Sequence, residues 1–183
     1  MKSPLPFLVA LTLLGGCFSL PTGPPPDLST PYKTLAFLRD SYVNLDYSGV
    51  LYTLDDTGDF VFAFDQHEWG DIVNGHPIPI DWGIYSERIA TQNMFDEAVD
   101  INFFEFWLED MKPLPEGATH YTSGPIYYRI IYYYNEDYDS HYITGYANFD
   151  MQKQGEDWII TRWNDQKVGE HSWGWLKFLY RYL

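Results

Sequence analysis

HYITGYANFDMQKQGEDWIITRWND, residues 141–165, decides the fold. Residues 141–152 read as one strand, rich in aromatic and β-branched side chains. Gln154-Gly155-Glu156 reads as a tight turn, and residues 157–164 as the returning strand. Periodicity, loop length and turn residues agree, which makes this a β-hairpin. Trp158 and Ile160 alternate along the second strand, which is expected to lie centrally in a sheet with one face against helices.

Upstream, residues 118–134 contain PIYYRIIYYY and read as a long strand. Asn135 to Ser140 is a polar turn, and Lys112 to Gly117 a break. Val99, Ile101 and Phe103 alternate as a further strand. Residues 81–97 read as a helix from Asp81, with Tyr85 and Ile89 on one face. Residues 66–80 form a loop rich in Gly, Pro and His. FVFAFD, residues 60–65, alternates Phe60, Phe62 and Phe64 with smaller residues and reads as the first strand. Before it, Thr30 can cap a helix that Pro31 begins. Leu35, Leu38, Tyr42 and Leu45 recur along that helix, and Tyr47, Val50, Leu51 and Leu54 along a second over 46–54. At the far end, a short helix from Ser172 is expected to turn Trp175, Leu179 and Tyr182 inward.

Helices, a strand, a helix and then a run of long antiparallel strands make an α+β chain. On one strand stand Gly145, Ala147 and Phe149; after the turn come Trp158, Ile160, Trp163 and Asp165. This G-x-A-x-F…G-x-x-W-x-I pattern resembles the NTF2-like superfamily, also called SnoaL-like or ketosteroid-isomerase-like, with the cystatin-like cone. The resemblance implies a curved antiparallel sheet wrapped around N-terminal helices over residues 31–183, leaving a conical pocket. It implies no activity, because the superfamily holds enzymes, binding proteins and bare scaffolds.

The N-terminus carries a different signal. Met1-Lys2 starts it, a nearly continuous apolar run from Leu5 to Leu14 follows, and Gly15-Gly16 precede Cys17, the single cysteine. The run is too short to span a bilayer, which takes about 20 apolar residues; it has the length of a signal-peptide core. Leu14-Gly15-Gly16-Cys17 resembles the bacterial lipobox. That resemblance implies a leader over residues 1–16 and a Cys17 that is acylated on its thiol and new amino group. Two or more acyl chains anchor firmly, so Cys17 would hold the chain to membrane lipid in the bacterial cell envelope. Phe18 stands where an Asp would mark inner-membrane retention, which leans toward the outer membrane in a Gram-negative host. Residues 17–30 then form a Pro-rich linker, with four prolines among residues 18–30. No cysteine remains for a disulfide.

The chain has 11 basic and 26 acidic residues, a formal charge of −15. Such a surface repels nucleic acid and anionic lipid, so no nucleic-acid partner is expected. Aromatic residues make up 19% of the chain. Large rings bury much apolar area and favour strands, so an aromatic core explains them first and an aromatic-lined cavity second.

Asp65, His67, Glu68, Asp71 and His76 form a histidine–acid cluster. HEWGD begins like the zinc motif H-E-x-x-H but puts Asp71 in place of the second histidine, and Gly70 and Pro77 oppose the required helix. Two acidic turns, Asp55-Asp56-Asp59 and Glu136-Asp137-Asp139, do not match the EF-hand pattern. No metal or cofactor is expected. The enzymatic alternative comes from the resemblance: Asp65 falls near the family's general-base position, with Tyr42 and Asp150 as loose partners. Against it, Gln66 to Gly70 is polar, so Asp65 is expected at a pocket rim, partly exposed and with a modest pKa shift. The leading expectation is a membrane-anchored, non-catalytic lipoprotein with room for a small apolar or aromatic ligand. The alternatives are a SnoaL/ketosteroid-isomerase-like lyase or isomerase and a structural or assembly protein of the envelope.

Overall fold

The computed structural model describes residues 26–182 except 136 and 138. The leader, Cys17 and most of the Pro-rich linker lie outside the described residues, as does Glu136. The elements are α1 (Pro31–Val43), α2 (Tyr47–Tyr52), β1 (Val61–Ala63), β2 (Ile72–Val73), β3 (His76–Pro77), β4 (Asp81–Gly83) and α3 (Ile84–Glu97). They continue with β5 (Asp100–Phe106), β6 (His120–Thr122), β7 (Ile126–Tyr133), β8 (Ser140–Gln154), β9 (Asp157–Lys167) and α4 (Trp173–Arg181).

Local chemistry sets the boundaries. Thr30 Oγ1 accepts from Lys33 N–H at 3.2 Å and Pro31 opens α1, satisfying donors that a helix start leaves free. Leu35, Leu38 and Tyr42 are buried along it, as their spacing predicts. Residues 81–83 do not extend α3, as read from the sequence, but pair with β1. Trp82 is the reason: on a strand its ring packs 4.7 Å from Phe64, and Gly83 stays extended with no side-chain cap. The 66–80 loop holds a small hairpin, β2 against β3. It turns at Asn74-Gly75, both with positive φ, which suits a two-residue hairpin turn. The long strand expected over 118–134 is two strands, β6 and β7. Between them Ser123 Oγ accepts the β8 N–H of Phe149 at 3.0 Å, and Gly124 takes φ 79°, a value that favours glycine.

One seven-stranded sheet runs in the order β4-β1-β9-β8-β7-β5, with β6 also on β8. Every pairing is antiparallel except β1 with β9. The β8–β9 hairpin is its longest ladder and turns at Gly155. Asp150 pairs with Arg162 but Met151 with Ile160, so Thr161 is an extra residue. This bulge bends the ladder and explains how Ile160 and Trp163, three apart, are both fully buried.

The concave face does not stay open. Trp173 of α4 lies 4.8 Å from the Tyr42 ring, 5.2 Å from Phe103, 5.4 Å from Tyr128 and 4.5 Å from Trp163. It therefore touches α1, β5, β7 and β9 at once. The inward residues of α4 are Trp173, Gly174, Leu176, Lys177, Phe178 and Tyr180. Trp175 and Leu179, expected inward, are only partly buried, and Tyr182 is exposed. A single-stripe reading fails here because α4 is covered on two sides, by α3 and by the sheet.

Candidate functional site

Inside the cone, α4 is docked by its first residues onto three polar groups. The Tyr128 hydroxyl donates to Asp165 Oδ1 at 2.7 Å and accepts Trp173 N–H at 2.9 Å. Gly174 N–H donates to Asp165 Oδ2 at 2.6 Å. Ser172, the N-cap, accepts Trp175 N–H and donates its own hydroxyl to Glu68 Oε2. Free N–H groups at a helix start suit carboxylates. Burial pushes Asp165 up to about 6, against the pull of its Tyr128 and Gly174 bonds. Burial also raises Glu68, with Ser172 and Lys167 opposing. One turn further, Lys177 Nζ meets Glu87 Oε1 at 2.5 Å with both side chains fully buried. Burial draws the Lys177 pKa down, and Glu87 works against that.

The three residues weighed for catalysis are not brought together. Asp65 is 4% exposed, not partly exposed as expected. Its Oδ1 accepts from His67 N–H at 2.6 Å and meets His67 Nδ1 at 2.8 Å; Oδ2 accepts Lys167 N–H at 2.5 Å. Burial would raise its pKa, but these donors outweigh burial and hold it below the usual value. That is the opposite of what a general base needs. Asp150 accepts from Thr122 Oγ1 on β6, at 2.7 Å and exposed. Tyr42 is in the core, and its hydroxyl has no hydrogen-bond partner among the described residues.

The histidine–acid cluster diverges. His67 joins Asp65, Glu68 turns inward to Ser172, His76 stacks 3.9 Å from the Tyr182 ring, and Asp71 is exposed. Asp55 Oδ1 accepts from Thr57 N–H and Oγ1, a local turn. Among the described residues no three His, Cys, Asp or Glu side chains gather as a metal site.

A groove of about 560 Å³ opens on the convex side of β8 and β9, walled by the chain from Ala63 to Ile80. Its polar rim holds His67, Arg162, Asn164 and Lys167, and its exposed rings are Trp69 and Tyr146. Sequence reasoning picked out only Asp65 and His67 of this groove. Arg162, Asn164 and Gln166 alternate with the buried Trp163 and Asp165 on β9, and that alternation was the available signal.

No family model matches the sequence, and no curated protein matches it. Solved structures do resemble the fold. An NTF2-like family protein from Streptomyces avermitilis, described as a candidate dehydratase, superposes with TM-score 0.54 at 10% identity, covering 78% of this chain and 96% of that one. A ketosteroid isomerase-like protein from Erwinia carotovora atroseptica gives 0.52 at 13% identity, with 78% and 96% covered. An NTF2-like superfamily protein from Salmonella enterica serovar Typhimurium gives 0.52 at 9% identity, with 78% and 92% covered. At such identities the likeness is one of fold: the chain has the NTF2-like architecture.

Proposed function

We propose that this chain is a lipid-anchored protein of the bacterial envelope whose NTF2-like domain is a non-catalytic binding module, working from its outer surface. The anchor rests on Leu14-Gly15-Gly16-Cys17. The observation that carries the module reading is Trp173, which with Lys177 fills the concave face where a substrate would otherwise sit. The buried carboxylates there, Asp165, Glu68 and Glu87, are each engaged by α4 itself, so none is free to act as a base on a reacting atom.

A lyase or isomerase reading has one feature in its favour. Asp165 is a buried carboxylate, pushed up to about 6, beside a tyrosine hydroxyl. That reading requires α4 to leave the cone, at the cost of exposing Trp173, Leu176 and Phe178.

The test of the anchor is metabolic labelling in a bacterial host with an alkyne fatty acid, followed by membrane fractionation. The wild-type chain should take the label and sediment with membranes, and Cys17→Ser should do neither. Equal labelling of both would overturn the proposal. Screening the wild type for isomerase, dehydratase and cyclase turnover tests the other half, where turnover abolished by Asp165→Asn would restore the enzymatic reading.

A further inference from the structure

We propose that the convex groove binds a small aromatic carboxylate. This rests on the reading that the working surface is outside the cone. It needs only the folded domain, so the state of Cys17 does not bear on it.

The groove separates charge in an unusual way for so acidic a chain. Its two carboxylates are withdrawn: Asp65 and Asp165 are 4% and 3% exposed. Each has both oxygens engaged by the chain's own donors. Its cations are only partly engaged. Arg162 spends only Nε, on Asn164 Oδ1 at 2.8 Å, and its two terminal nitrogens have no partner among the described residues. That leaves a planar fork, the geometry that matches a carboxylate. Lys167 Nζ stands at 3.6 Å from Glu68 Oε1 and remains about a quarter exposed. The His67 side chain is 73% exposed, with Nδ1 on Asp65 and Nε2 without a partner among the described residues. Two of the chain's 11 basic residues and one of its 5 histidines thus converge on one opening.

Apart from Gln66 and Gln166, the remainder of the lining is apolar. Trp69 is pinned by its Nε1–H, which donates to Phe64 O at 3.0 Å, and still shows 45% of its surface. Tyr146 and Ile80 are also exposed. A fixed indole offers stacking area at little entropic cost. An inorganic anion would leave these rings uncovered, and a neutral sugar would leave the cations unanswered. A volume of about 560 Å³ lies within the range of small-molecule sites.

The test is titration of the full chain carrying Cys17→Ser, followed by tryptophan fluorescence and calorimetry. The probes are benzoate, 4-hydroxybenzoate and indole-3-acetate, with benzamide and inorganic phosphate as counter-probes. At least one carboxylate should bind with Kd below about 10 mM. Benzamide and phosphate should bind at least about tenfold more weakly. Arg162→Gln and Trp69→Ala should each weaken the carboxylate by about tenfold, with melting curves showing that the variants are folded. Arg39→Gln, away from the groove, should change nothing. Should Arg162→Gln fail to fold, Trp69→Ala decides alone. No binding by any carboxylate, equal binding of benzamide or phosphate, or unweakened binding by the folded variants would each overturn the proposal.

Discussion

Lys177 and Glu87, 90 positions apart, form an ion pair with both side chains fully buried in the cone. The ammonium also lies 3.6 Å from the Trp163 ring centroid and 4.4 Å from that of Phe62. Glu87 is completed by the Trp82 indole N–H at 3.0 Å and the Thr91 hydroxyl at 3.3 Å. Cation–π contact and neutral donors soften the desolvation of the pair. The pair ties α4 to α3 and fixes the depth at which α4 enters.

Breaking such a pair from one side leaves a buried charge unanswered, which costs about 3–5 kcal/mol. Lys177→Met and Glu87→Gln should each lower the urea midpoint strongly, Lys177→Met more, since Gln can still accept from Trp82. The double variant Lys177→Met/Glu87→Gln should cost clearly less than the sum of the two single losses. Additive losses in a double-mutant cycle would mean that the two groups are not coupled.

Asp165 gives a pH dependence whose sign is fixed by its environment. Its folded pKa, about 6, is above the ordinary 3.8, so the native state holds its proton more tightly. Its contribution to stability is full below about pH 4 and is lost as pH rises through 6, on the order of 3 kcal/mol in all. Glu68 is shifted in the same direction. The melting temperature of the wild type relative to Asp165→Asn should therefore fall between pH 4.5 and 7. A gap that widens over that interval would show the carboxyl to be stabilised as the anion.

The long hairpin was legible because its information is local. Strand period, the Gly155 turn and β-forming rings all lie within 25 residues, and β8 and β9 form where they were read. The α+β cone followed from that hairpin. What was not legible depends on partners distant in the chain. Nothing near Lys177 announces Glu87, so a lone lysine in WGWLKFLY reads as the solvent side of a helix. The same blindness left the cone looking open. Trp82 was read into a helix because only Phe62 and Phe64, across the sheet, explain its strand conformation. Asp65 looked wet because its neighbours are polar; His67, two residues on, and the Lys167 N–H, 102 residues on, together hold it ionised, and only the second is too distant in the chain to be read.

Gly145 is the first residue of the motif that suggested the fold, and the structure gives it a reason. A Cβ there would overlap the Gln166 carbonyl and the Tyr128 hydroxyl. Its φ is ordinary, so the demand is for space alone. Tyr128 cannot retreat without dropping Asp165 and the Trp173 N–H. Gly145→Ala should cost on the order of 2 kcal/mol through overpacking and loss of those bonds. Near-ultraviolet circular dichroism should change with it, since Trp173 loses its anchor. An unchanged spectrum and melt would show that β8 yields where the structure has it rigid.

Trp158 joins the hairpin to the N-terminal part of the domain. Its side chain is 2% exposed, with the Tyr121 ring 6.2 Å away. Its backbone N–H donates to Leu28 O at 2.9 Å, and its carbonyl accepts from the buried Thr34 hydroxyl at 2.8 Å. The strand that carries it is internal, between β1 and β8. Replacing a buried Trp with Ala removes transfer energy and leaves a cavity that the ladder cannot close, a loss of about 3–5 kcal/mol. In a domain of this size that amounts to a fall in melting temperature on the order of 10 °C. The backbone bonds to Leu28 and Thr34 need no side chain, so the fold should persist at low temperature. Trp158→Ala should therefore keep its far-ultraviolet spectrum at 10 °C while melting much earlier; a melt within about 2 °C of wild type would mean that the indole contributes little packing.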